Sequence, residues 1–106
     1  MIPIELLSPG EIARMLARRV KALRLENGWT QQEAAERAGL ALATYRHFER
    51  TGRVSLERLL KLAVILDARA GFDQLFARPP ARSLAELEKR AERQTRKRGK
   101  RRDAEG

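Results

Sequence analysis

The sequence predicts an all-α chain, a small bundle of short helices followed by a basic tail. Three observations predict it. Apolar residues recur at three- and four-residue spacing, as in Ile12, Leu16, Val20 and Leu23 and again in Leu56, Leu59, Leu60, Ala63 and Leu66. Ser8, Thr30 and Ser83 each stand three residues before a glutamate, the pattern of a capping box that starts a helix. Gly39 and Gly52 fall where short helices would end in a left-handed residue. At 106 residues there is room for one domain and an appendage.

Residues 1–7 read as an N-terminal arm, and Pro3 argues against a helix there. Ser8-Pro9-Gly10-Glu11 opens the first helix, with Ser at N-cap, Pro at N1 and Glu at N3. Its core stripe is Ile12, Leu16, Val20 and Leu23. Arg14, Arg18, Lys21 and Arg24 lie off that stripe and read as a solvated face. Asn27-Gly28 ends the helix. Trp29 precedes the Thr30 cap, the position of a hydrophobic staple, and reads as packing rather than as a binding anchor.

Residues 30–52 organise the chain. They read as two short helices joined by a tight turn at Ala38-Gly39-Leu40. Ala34, Ala35 and Ala38 are small enough to let the second helix cross closely. That second helix is expected from Ala41 to Arg50, with Tyr45 and Phe48 on an inner face. Leu42, Ala43, Arg46, His47 and Arg50 fall on the other face. A loop of Arg50-Thr51-Gly52-Arg53 follows, then a helix capped by Ser55 and broken at Gly71. It is apolar enough to be largely buried or shared with a second subunit. Phe72, Leu75 and Phe76 suggest one more helical turn. Arg78-Pro79-Pro80 closes the domain, which is thus expected over residues 8–78, with a linker and tail over 79–106.

Two helices joined by a short glycine-containing turn make the helix-turn-helix plan. Over residues 23–66 the chain resembles the Cro/phage-repressor (XRE) family. The match runs through L-R-x-x-N-G-W-T-Q-Q-E-A-A-E-R-A-G-L, then T-Y-R-H-F-E, then S-L-E-R-L-L-K-L-A-V-I-L. The resemblance implies a five-helix, lambda-repressor-like helix-turn-helix domain whose second motif helix enters the DNA major groove. It implies base contact by Gln31, Leu42, Ala43, Arg46 and His47, and phosphate contact by Gln32, Thr44, Arg50 and Arg53. For Glu49 it implies a structural pairing with a basic or polar neighbour. Here the chain departs from the usual pattern. Ala41, Leu42 and Ala43 stand where the family often has Ser, Gln or Thr, and they can meet only thymine methyls or leave space. Hydrogen-bonded readout then falls on Arg46, helped by Gln31, Gln32 and His47. Arg46 suits either guanine O6/N7 or a phosphate, and His47 equally suits a solvated helix face. Ala41 is a poor N-cap, so Leu40 and the turn must fix this helix by packing. An extra residue in Arg50-Thr51-Gly52 also departs from the pattern.

The formal net charge is +9 and the pI about 11.2, which favours an anionic partner. Beyond Leu87 the tail has no aliphatic residue larger than Ala. Lys89, Arg90, Arg93, Arg96, Lys97, Arg98, Lys100, Arg101 and Arg102 stand against a single acid, Glu92, over residues 89–102. A frayed helix passing into disorder is expected there, with electrostatic work on DNA phosphates or an acidic partner.

The absence of cysteine excludes disulfides, Cys-ligated zinc and thiol chemistry, and suits a reducing cytoplasm. No signal pattern or membrane-length apolar run stands out, so a cytoplasmic, nucleoid-associated protein is expected. No carboxylate pair, Gly-rich phosphate loop or metal spacing is apparent, and neither an enzyme nor a cofactor is expected. Three functions stay open. One is a repressor that binds double-stranded DNA as a homodimer, with recognition helices about 34 Å apart on a palindrome. The second is narrower. The Leu75-Phe76-Ala77-Arg78-Pro79 ending and the Arg-rich tail look like HipB-type antitoxins, which would add a HipA-like toxin kinase as partner. The third is a protein-interaction adaptor that has lost DNA binding.

Overall fold

A computed structural model describes residues 2–80 and 83–105, with side chains of the last helix described as far as residue 97. Five α-helices and two 3-10 turns are present among the described residues. They are α1 (Pro9–Glu26), α2 (Gln31–Ala38), α3 (Leu42–Thr51), α4 (Leu56–Ile65) and α5 (Leu84–Glu105). The chain divides into two compact units, Met1–Leu75 and Phe76–Gly106.

Local chemistry sets the helix starts. At α1 the Ser8 hydroxyl accepts from the Glu11 amide at 3.2 Å, and the Glu11 carboxylate accepts from the Ser8 amide at 3.0 Å. Thr30 and Glu33 make the same reciprocal pair at α2, at 3.0 and 3.3 Å. Ser55 caps α4, its hydroxyl accepting from the Arg58 amide at 3.2 Å. Only α3 starts without a side-chain cap, at Ala41; buried Leu40 anchors the turn before it.

The turn between α2 and α3 follows from Gly39, at φ 69°. There the Leu40 amide reaches back to the Ala35 carbonyl at 2.8 Å, closing the helix end. Gly52, at φ 82°, ends α3, and a Cβ built on it would lie 2.6 Å from the Ala13 carbonyl carbon. Glycine is therefore needed twice at this position, once for its conformation and once for the closeness of the α1 backbone.

Helix α3 packs on α1 and α2, and α2 packs on α4. The core they enclose holds Ala17, Ala34, Ala35, Ala38, Leu40, Tyr45, Phe48 and Leu62, with Trp29, Val54 and Leu59 packed against it. Small alanines on α2 admit the Tyr45 and Phe48 rings, whose centroids lie 6.4 Å apart. Trp29 also carries the Arg37 guanidinium 4.5 Å above its ring, a cation–π contact.

The structure corrects several expectations. Helix α1 turns Ala17 and Arg24 into the core, seven residues apart on one face, so Arg24 is buried rather than solvated. Ile12, Leu16 and Leu23 are only half-buried. With Leu59, Ala63 and Phe72 they line an open apolar groove of about 450 Å³. Along α4, Leu62 and Ala63 are buried, but Leu56, Leu60 and Val64 stay exposed. That helix stops at Ile65, well before Gly71, because Asp67 takes the left-handed conformation (φ 54°) and the Ala68 amide closes on the Ala63 carbonyl at 2.8 Å. The helical turn expected at Phe72–Phe76 is a 3-10 turn at Arg69–Phe72. A second 3-10 turn covers Ile4–Leu6; Pro3 is its cap, where a missing N–H costs nothing.

In the second unit, Ser83 caps α5 by accepting from the Glu86 amide at 3.2 Å. Helix α5 continues to Glu105, beyond the frayed start expected from the tail's composition. Ala, Glu, Gln, Lys and Arg are good helix formers, and the Glu86–Arg90 pair at 3.1 Å adds an i,i+4 tie.

Candidate nucleic-acid interface

Helix α3 presents a short outer face. Ala41, Ala43, Arg46, His47 and Arg50 are exposed, and Thr44 is half-buried. Leu42 differs from its neighbours: it is half-buried and packed against the core, so only part of its side chain faces outward. Burying some of an otherwise exposed leucine at the unsupported start of α3 is favourable.

What holds this face in place is a buried ion pair. Arg24 on α1 and Glu49 on α3 have side chains only 8% and 5% exposed. The Arg24 Nε donates to Glu49 Oε2 at 3.1 Å and its Nη2 to Oε1 at 3.0 Å, a bidentate fork. Its Nη1 donates to the Trp29 carbonyl at 2.8 Å, tying in the segment between α1 and α2. Burial alone would raise the Glu49 pKa, but the bonds and charge of Arg24 and its other polar neighbours outweigh it. The carboxyl lies below its ordinary 4.5. Glu49 in turn holds Arg24 above its usual value. Beside the pair, burial pushes the Tyr45 hydroxyl up.

Gln31, at the first position of α2, links this pair to the surface. Its Nε2 donates to Glu49 Oε1 at 3.3 Å, and its Oε1 accepts from Arg46 Nε at 3.3 Å. Gln32 is exposed and donates to Glu36 at 3.2 Å along its own helix. His47 Nδ1 lies 3.4 Å from Arg50 Nη2. Below α3, the Thr51 hydroxyl donates to the His47 carbonyl at 2.7 Å and accepts from the Arg53 amide at 3.1 Å. The Thr51 side chain thus closes the end of α3.

An open concavity of about 500 Å³ runs from α3 to the start of α4, lined by Ala43, Thr44, His47, Arg53, Ser55 and Arg58. Arg58 lines this concavity and was not among the residues singled out in the sequence. Its signal was available: it occupies the N3 position after a Ser cap, where α1 and α2 carry glutamate. The structure brings Gln31, Arg46, Glu49 and Arg24 together, and Thr44, His47, Arg53 and Arg58 around the concavity. In α5, Arg93, Arg96 and Lys97 are exposed; the side chains of Arg98, Lys100, Arg101 and Arg102 lie outside the described residues.

Among the described residues no group of His, Cys, Asp and Glu is placed to hold a metal ion, and no helix is long and apolar enough to cross a membrane. No curated protein matches the chain. A helix-turn-helix family model matches residues 20–70, from the middle of α1 to the turn after α4. Residues 20–70 of this chain are a helix-turn-helix of the Cro/phage-repressor (XRE) type.

Proposed function

We propose that the protein is a transcriptional repressor that reads double-stranded DNA through α3. The observation that carries this reading is the composition of one face. Arg46, His47 and Arg50 stand exposed on α3 beside apolar Ala41 and Ala43, and Arg53 and Arg58 flank them at the start of α4. Such a face offers donors to base edges and phosphates, and apolar contact to thymine methyls. Arg46, His47, Leu42 and Ala43 are the proposed base-contact set, with Gln31 hydrogen-bonded to Arg46 behind them. Gln32, Thr44, Arg50 and Arg53, now with Arg58, are the proposed phosphate set. Duplex titrations over a range of salt test it. Arg53→Ala and Arg58→Ala should each weaken binding to all sequences and reduce the salt slope by about 1. An unchanged slope would remove those residues from the phosphate set.

The repressor acts as a homodimer on a palindromic operator in this reading. Support comes from the apolar groove between α1 and α4 and from exposed Leu60 and Val64 beside it, a surface suited to a second copy. Sedimentation equilibrium of Leu16→Arg beside the unaltered chain tests it; equal masses would discard this surface.

The narrower antitoxin reading draws support from Phe76, which is 97% exposed in a left-handed conformation (φ 61°) just ahead of the basic helix. An aromatic ring held in water suits a partner's pocket. Co-purification with a HipA-like kinase, lost on Phe76→Ala, is the expected result. Retention of the kinase by Phe76→Ala would discard Phe76 as the anchor.

A further inference from the structure

We infer that Gln31 is a positioning residue that aims Arg46 at a guanine, taking its own orientation from the buried Arg24–Glu49 pair. The inference rests on the DNA-reading function proposed above and assigns the source of its specificity.

The chemistry runs outward from the core. Glu49 Oε1 accepts from Arg24 Nη2 at 3.0 Å and from Gln31 Nε2 at 3.3 Å. A carboxylate is acceptor-only, so the Gln31 amide can meet it only with its NH2 group. That fixes the amide, and its carbonyl oxygen must face the other way. Facing outward, it accepts from Arg46 Nε at 3.3 Å. Arg46 is exposed and otherwise free to rotate through several torsions. With Nε engaged, its Nη1 and Nη2 edge is left to meet a bidentate acceptor, which on a base edge is guanine O6/N7. A phosphate would not need this arrangement, since it can be met by an arginine in many orientations. A neutral Gln31 held between Glu49 and Arg46 therefore contributes orientation, and the base contact belongs to Arg46.

The test is a double-mutant cycle on the full chain, read as binding to a selected site and to the same site with the guanine replaced. Arg46→Ala should abolish a guanine preference of about 5- to 150-fold. Gln31→Met keeps the side chain's length and removes both hydrogen bonds. It should cut that preference by about 2- to 12-fold, the worth of one hydrogen bond. Its salt slope should stay that of the unaltered chain, and its melting midpoint should fall by about 2–12 °C, what the lost bond to Glu49 is worth. In the Arg46→Ala background, Gln31→Met should change the preference no further. Arg46→Lys, which has no Nε–H in this position, should lose the preference and also make Gln31 silent.

Two results would overturn the inference while leaving the DNA-reading function intact. One is a full guanine preference in Gln31→Met. The other is an equal loss from Gln31→Met with and without Arg46, which would make Gln31 itself the contact. Absence of any sequence preference in the unaltered chain would overturn the function and the inference together.

Discussion

Glu49→Ala isolates the interaction on which the α1–α3 packing turns. The substitution removes a carboxylate whose side chain is 5% exposed and leaves the Arg24 guanidinium, 8% exposed, in the same place. Two of Arg24's bonds disappear, at 3.0 and 3.1 Å, while the 2.8 Å bond to the Trp29 carbonyl survives. Stranding one partner of a buried pair costs about 3–5 kcal/mol. A domain the size of the first unit is stable by roughly 4–11 kcal/mol in total. At about 4–8 °C per kcal/mol, the melting midpoint should fall by at least about 12 °C. Thermal melts of the full chain followed by circular dichroism provide the assay. Arg24→Met with Glu49→Leu leaves no buried charge and should recover most of the loss. The pair also has a pH signature. The Glu49 carboxyl is depressed in the folded state, so its contribution is complete above its ordinary pKa of 4.5. It is lost as pH falls through the lower folded value, where the unfolded chain binds the extra proton. Glu49→Ala should flatten that acid decline. A midpoint within about 4 °C of the unaltered chain, with the acid limb unchanged, would refute a stabilising role for this pair.

Three further perturbations probe other parts. Phe48→Ala empties the centre of the core, where the ring is 1% exposed, and should cost about 3–5 kcal/mol in denaturant unfolding; a near-neutral result would contradict its burial. Gly52→Ala places a Cβ against the Ala13 carbonyl in a left-handed conformation and should destabilise by more than about 1 kcal/mol, whereas a neutral or stabilising effect would mean α1 and α3 can part at no cost. Deleting residues 81–106 should weaken DNA binding across all sequences and flatten its salt dependence, by about 0.9 in slope for each phosphate that the tail neutralises; an unaltered slope would remove the tail from DNA.

The features readable in the sequence were those set by neighbours along the chain. Ser8 with Glu11 and Thr30 with Glu33 declare helix starts within four residues, and the hydrogen bonds are there. Gly39 and Gly52 mark ends that only a left-handed residue can make. Tyr45 and Phe48 share a face by spacing alone and are buried together. Features set across the fold were not readable. Arg24 looks like one more surface arginine until Glu49, 25 residues on, is brought beside it. The end of α4 was misplaced because Asp67, not glycine, takes the left-handed turn. The outer face of α3 was legible as a face, but Leu42's partial burial and the Gln31–Arg46 bond depend on how α2 crosses α3.

The most direct test of sequence reading by α3 is selection from a randomised duplex library at near-physiological salt, with the full chain beside residues 1–80. Enrichment of one palindrome by both is expected, with a guanine at the position that Arg46→Ala ceases to prefer. Enrichment by neither, with only salt-sensitive general binding by the full chain, would contradict the repressor function and direct attention to protein partners.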